Sequence, residues 1–204
     1  MWIAHAGTVD RVSDTDALVA RYQAGYPDAF AALYRTHRAD VVRIVRRLAG
    51  PHELDDIVQD VFVQVYRSLK DFRKDARFTT WLYRVTVNVV LMRRRARRCR
   101  PALVELDGID APEAESQRPD EQLARRQRAE ALVRLLNRLS EKKRTAYVLH
   151  EIEGMAPSEI ARVVGAPVLT VRTRLFYARR ELAQLLRQEP PFPRRDGSRP
   201  SETG

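Results

Sequence analysis

Cysteine is almost absent: Cys99 is the one thiol in 204 residues. That excludes an intrachain disulfide and a structural zinc site built on cysteines. Arginines crowd around it, and cations lower thiol pKa, so a reactive thiolate is one reading; an ordinary reduced thiol is the simpler one. Glycine is scarce, at 8 residues. No segment alternates apolar and polar residues as a half-buried strand does, and no internal repeat is present. No apolar run approaches the ~18 residues that would cross a bilayer. The opening MWIAHAGTVDRVSD lacks the basic patch and apolar run of a secretory signal. His, Ser and carboxylate residues do not converge in a pattern that would make a catalytic centre or hold a metal. These absences point to an all-α protein, expected to be soluble and cytoplasmic, with no catalytic residues, no cofactor and no small-molecule substrate.

What is present is charge, mostly of one sign. Lys and Arg number 37 against 27 Asp and Glu, a net charge of +10. Such a balance suits a polyanionic partner, nucleic acid or an anionic membrane surface. Helical periodicity falls into two blocks, near residues 14–99 and 123–188. Between them RPALVELDGIDAPEAESQRPDEQ, residues 100–122, holds three prolines and many acids and reads as a flexible linker. Residues 1–13 lack periodicity, and the tail 189–204 has the composition of a disordered segment.

In the first block Pro27 and Asp28 open a helix. Phe30, Leu33, Tyr34, Val41, Ile44, Val45 and Leu48 share its apolar face, and Gly50-Pro51 stops it. The next helix carries an unbroken stripe of Leu54, Ile57, Val58, Val61, Phe62, Val65, Tyr66 and Leu69. Its other side presents Asp56, Gln59, Asp60, Val63 and Arg67. His52, Glu53, Asp55, Asp56 and Asp60 are poorly placed to converge on a metal, because consecutive helix positions point about 100° apart. Acids in a first turn offset the helix dipole; a polar face that docks another protein is the other reading.

From Lys70 the sequence KDFRKDARFTTWLYRVTVNVVLMRRRARRCR begins as a polar loop holding Phe72, Arg73, Lys74 and Asp75. A helix follows with Phe78, Trp81, Tyr83, Arg84 and Asn88. It ends in six arginines between Arg93 and Arg100, Arg93 and Arg94 the first of them. A helix C-terminus welcomes cations, but six in eight residues repel one another unless an anion is near. Rings interleaved with cations suit single-stranded nucleic acid, where bases stack and arginine neutralises phosphate. Core packing is the alternative for Phe78 and Trp81.

In the second block Leu132, Leu135, Leu136 and Leu139 make one face. Ser140 is placed to cap a helix that turns Ala146, Leu149 and Ile152 inward and ends at Gly154. MAPSEIARVVGAPVLTVRTRLFYARREL, from Met155 to Leu182, then reads as helix, turn, helix. Pro157 suits a first helical position. Ile160, Ala161, Val163 and Val164 face inward, and Gly165 suits a left-handed residue after a helix end. Pro167 leads the last helix, whose stripe is Val168, Val171, Leu175, Ala178, Leu182 and Leu185. Outward near its start lie Thr170, Arg172, Thr173, Arg174 and Tyr177, with Arg180 one turn on. This matches a helix-turn-helix, in which the start of the second helix enters a major groove and Arg pairs with guanine. A helical hairpin with a solvated basic face is the plainer alternative.

Together these motifs resemble the extracytoplasmic-function sigma factors, the compact group of the sigma-70 family. DDIVQDVFVQVYRSL (Asp55–Leu69) looks like the region 2 helix that binds the clamp helices of core RNA polymerase. FTTWLYRVTVNVVLMRRRARR (Phe78–Arg98) resembles the segment that melts and reads the −10 promoter element. Met155–Leu182 resembles region 4, which reads the −35 element. The resemblance implies two small helical domains, a region 2 bundle and a region 4 helix-turn-helix. The implied partners are promoter DNA and core polymerase, at its clamp helices and flap, with an anti-sigma factor common in the family and often membrane-held. Asp55, Asp56, Gln59, Asp60 and Val63 would face polymerase. Phe72–Asp75 would capture a flipped base, Asn88 would contact the opened strand, and Arg172, Thr173 and Arg174 would lie in the major groove.

Three positions depart from the family's habit: Ala156 stands where a capping Ser or Thr is common, Leu169 where a small residue precedes the recognition Thr, and Lys74 where a small loop residue is common. An autonomous helix-turn-helix regulator is the rival reading. It leaves the Asp55–Leu69 face and the aromatic-basic segment without a use.

Overall fold

The computed structural model describes residues 8–51, 53–98 and 119–188, and every regular element among them is helical. The first half holds α1 (Thr8–Gln23), α2 (Asp28–Ala49), α3 (Leu54–Ser68) and α4 (Phe78–Arg98). The second holds α5 (Pro119–Arg138), α6 (Glu141–Tyr147), α7 (Pro157–Val164) and α8 (Val168–Gln188). A 3-10 turn at Leu69–Asp71 follows α3, and a π-helical turn at Val148–Ile152 extends α6. The residues 100–118 of the expected linker, the expected tail 189–204, His52 and Cys99 lie outside the described residues; α5 starts at Pro119, inside the span read as linker.

Several expectations change. The sequence delimits no helix before Pro27 and sets residues 1–13 outside the helical block that begins near residue 14, yet α1 starts at Thr8, inside that expected tail, and buries Val19 and Tyr22. Polar bonds fix α1 as much as apolar ones do. The Tyr22 hydroxyl donates to the Tyr66 carbonyl at 3.0 Å, and the Gln23 amide donates to the Leu69 and Phe72 carbonyls at 3.2 and 2.9 Å. Tyr66, placed in the buried stripe of α3, is 51% exposed. Ser140 stands at the N-cap of α6 but makes no side-chain cap bond. Ala156 cannot cap with its side chain, yet its N–H donates to the Glu159 carboxylate at 3.0 Å. That is the return half of a capping box, and it satisfies one orphan donor of α7. Gly165 is left-handed, at φ +61°, as the turn requires.

The two halves pack together. α2 and α4 meet α5, α6 and α7; one buried apolar cluster runs through both halves, and polar groups bond across the seam beside it. The Glu153 carboxylate, its side chain 1% exposed, accepts from Arg43 of α2 at 2.8 and 2.5 Å. The Tyr83 hydroxyl of α4 donates to it at 3.4 Å; burial, with the nearby Glu153 charge, pushes the Tyr83 phenol up. Beside it the Leu48 carbonyl, in the last turn of α2, accepts from Arg94 of α4 at 2.6 Å and from Arg144 of α6 at 3.0 Å. Helix ends leave such carbonyls unpaired and partly negative, so guanidinium groups are well placed there.

Arg43→Ala strands a buried carboxylate. Breaking a buried pair costs about 3–5 kcal/mol; Arg43 is 37% exposed, which moves the expectation to the low end. Parting the halves returns Glu153 to water, so the expected outcome is a larger radius of gyration by small-angle scattering with unchanged far-UV helicity. An unchanged radius would show that this pair does not hold the seam.

Candidate protein and nucleic-acid interfaces

The first candidate surface lies between α2 and α3. Phe62 of α3 stacks edge-on against Tyr34 of α2, with centroids 4.5 Å apart, and Tyr66 against Phe30 at 5.1 Å. These rings floor an open groove of about 470 Å³, rimmed by Arg38, Asp55, Gln59 and Val63. Val63 is 41% exposed, so the groove has an apolar lip as well as an apolar floor. Of the five residues expected to face a protein partner, Asp55, Gln59 and Val63 line this groove. Asp56 is exposed but off its lining. Asp60 is ion-paired to Arg93 of α4 and looks toward that helix. Phe30, Tyr34 and Tyr66 were missed as surface residues, because their spacing placed them on the inward stripes. Edge-on aromatic pairs let them belong to both core and groove.

The second candidate is a cavity of about 340 Å³ between the loop after α3 and the start of α4. Asp71, Phe72, Arg73, Asp75, Ala76, Thr80, Trp81 and Arg84 line it, together with Arg162 from α7. Phe72, Phe78 and Trp81 form a ring cluster with centroids 5.1–6.0 Å apart. Each ring is less than a tenth exposed, so core packing accounts for most of their surface. Phe72 and Trp81 still present atoms to the cavity, whereas Phe78 lies beneath, against the His37 ring. Lys74 takes a left-handed backbone, φ +59°. That region costs a side chain roughly 1–2 kcal/mol and costs glycine nothing. Among all residues only glycine would escape that strain.

Along α4, Arg84 and Asn88 are exposed one turn apart, and Met92 continues the line at 66% exposure. Met92 escaped the sequence reading because an isolated methionine among valines resembles core. Arg93 and Arg94 do not join this line. Arg93 holds Asp60, and Arg94 caps α2 and lies 3.9 Å from Glu141.

The third candidate is α8. Val171, Leu175, Ala178, Leu182 and Leu185 are buried, as the stripe predicts. Arg172, Thr173, Tyr177 and Arg180 are exposed, and Thr170 and Arg174 are half-buried on one flank. Opposite the buried stripe stand Leu169, Thr173, Phe176 and Arg180. Phe176, 60% exposed, was not singled out in the sequence; its place three residues after Thr173 was the available signal. Arg179 pairs with Glu151 at 2.6 Å and is tied to the π-helical turn that extends α6.

Among the described residues no group of His, Cys, Asp and Glu is arranged to hold a metal ion, and no helix is long and apolar enough to cross a membrane.

Residues 33–99 match the family described as Sigma-70 region 2, and residues 129–182 match Sigma-70, region 4. The ECF RNA polymerase sigma-E factor of Escherichia coli (strain K12) is 34% identical over 169 residues, covering 79% of this chain and 88% of that protein. The ECF RNA polymerase sigma-E factor of Haemophilus influenzae is 31% identical over 170 residues, covering 80% and 90%. Among solved structures, CnrH in complex with the cytosolic domain of CnrY superposes with a TM-score of 0.66 at 28% identity, covering 87% of this chain and 99% of that one. The sigma factor RpoE of Bartonella quintana, solved with the anti-sigma factor NepR, shares the fold at a TM-score of 0.59 and 22% identity, covering 79% of this chain and 98% of that one. Two aromatic-basic helical halves in this order, matched in sequence across most of their length, have one explanation: the chain belongs to the extracytoplasmic-function sigma factors of the sigma-70 family.

Proposed function

We propose that this sigma factor engages the clamp helices of core RNA polymerase through the α2–α3 groove, opens the −10 element along α4, and reads the −35 element with α8. An ECF sigma factor directs core polymerase to promoters; it is a transcription initiation factor, and polymerase performs the chemistry. The observation that carries the polymerase assignment is the groove itself. An apolar floor of paired rings with an exposed valine lip is what a partner helix covers in a groove. The acids Asp55 and Asp56 would set register with a basic partner rather than supply affinity. The same groove suits an anti-sigma partner that competes with polymerase. Action alongside polymerase places the protein in the cytoplasm.

At the −10 element the cavity beside Trp81 would take an unstacked base. Melting costs a few kcal/mol per step, and a walled pocket offsets it. Arg84, Asn88 and the exposed Arg95 and Arg97 would follow the single strand, since cations along a strand supply most of its affinity. Region 2 would span about residues 14–99 and region 4 about 123–188, with the flap of polymerase as the second anchor. Two tethered domains on one polymerase and one promoter gain avidity without new contacts.

Three outcomes test the assignment. Val63→Asp places a charge on the groove lip at a solvent-facing position, so it should lower affinity for core polymerase at least tenfold, about 1.4 kcal/mol, with far-UV helicity intact; undiminished affinity would move the polymerase face elsewhere. Arg84→Ala should leave duplex binding by the holoenzyme unchanged while permanganate reactivity of −10 thymines falls, and equal loss of both would make it a general phosphate contact. Arg172→Ala should cost about 1–3 kcal/mol at the −35 element and relax its sequence preference, measured on a promoter recovered by transcribing a genomic library; a uniform loss across sequences would reduce Arg172 to a backbone contact.

A further inference from the structure

Leu169 is the most exposed large apolar side chain among the described residues, at 74%. It is the second residue of α8, so it stands at the end of the helix that a major groove would receive first. The buried residues Val171, Leu175, Ala178 and Leu182 fix which way the helix faces. At 3.6 residues per turn, Leu169, Thr173, Phe176 and Arg180 then form the outermost line. The Thr173 hydroxyl donates back to the Leu169 carbonyl at 3.0 Å, which commits its proton to the helix. Phe176 stands edge-on to Tyr177, with centroids 5.4 Å apart. The midline of this face therefore carries two large apolar groups, Leu169 and Phe176, with Arg180 one turn beyond them and Arg172 and the half-buried Arg174 to its sides.

A protein partner for so apolar a centre would have to tolerate that cationic border, whereas DNA requires it. In a major groove the apolar group on a base edge is the C5 methyl of thymine. We infer that Leu169 packs against a thymine methyl in the −35 element and so demands T·A over C·G at one position. This inference rests on α8 being the −35 reader. It gives the departure at Leu169 a use: the side chain that keeps the helix backbone off the bases supplies the contact itself.

Deoxyuridine isolates the methyl, since it pairs as thymidine does and lacks only that group. The test measures affinity of the full chain, assembled with core polymerase, for promoter duplexes in which each −35 thymidine in turn becomes deoxyuridine. One position should lose about fourfold with the parent protein, the worth of one buried methyl, and lose nothing with Leu169→Ala. Leu169 is exposed, so the variant should fold, and far-UV circular dichroism checks it. A penalty that persists in Leu169→Ala, or no penalty at any position, overturns the inference. Arg172→Ala, run beside it, separates the two levels. If Arg172→Ala changes neither −35 affinity nor −35 preference, the assignment of α8 fails and this inference with it. If Arg172→Ala shifts preference while deoxyuridine changes nothing, only the role of Leu169 falls.

Discussion

One carboxylate holds the arrangement of the two halves. Glu153 sits just before Gly154, at the turn into the helix-turn-helix, with its side chain removed from water. A buried carboxylate is costly unless it is paired and hydrogen-bonded, and both of its partners, Arg43 and Tyr83, come from the other half. The C-terminal end of α2 repeats the logic. Its Leu48 carbonyl is shared by a guanidinium from α4 and another from α6. The left-handed Gly50, at φ +91°, lets the chain leave without covering that carbonyl. A seam built from such groups is specific in register.

That seam also sets which surfaces stay open. α7 meets α4 near the loop that follows α3, so Arg162 becomes part of the wall of the Trp81 cavity. The α2–α3 groove lies on the side of α2 away from the second half, and none of its lining comes from α5 to α8. The outer face of α8 is likewise clear, because its contacts run through the buried stripe to α5, α6 and α7. The groove proposed for polymerase and the face proposed for the −35 element are thus accessible in the packed form, while the cavity proposed to take a base is shared between the halves.

The helix count of the second half and the inward stripes of α2, α3 and α8 were legible because burial follows helical period closely. Gly165, Pro157 and Gly50 marked boundaries by chemistry that needs no tertiary context. The failures share one cause. α1 has few apolar positions and is held by Tyr22 and Gln23 bonding to distant carbonyls, which no local pattern encodes. Tyr66 and Phe30 were read as core because period alone cannot distinguish a buried ring from one that floors a groove. Asp60 was grouped with its exposed neighbours by helix face. Its partner Arg93 is 33 residues on, so only the packing of α3 on α4 discloses the pair.

The arginine run shows why excess charge has to be divided before it is read as a binding signal. Self-repulsion of six arginines looked affordable only beside an anion. The structure supplies part of that anion internally: Arg93 takes the Asp60 carboxylate, and Arg94 takes the negative end of α2 with Glu141 nearby. Arg95 and Arg97 remain exposed beyond them, on the same helix as Arg84 and Asn88. The first two arginines therefore fix where α4 lies, and the later ones extend the face that α4 turns to solvent. The run is one feature in sequence and two in space, a structural anchor followed by an exposed cationic surface.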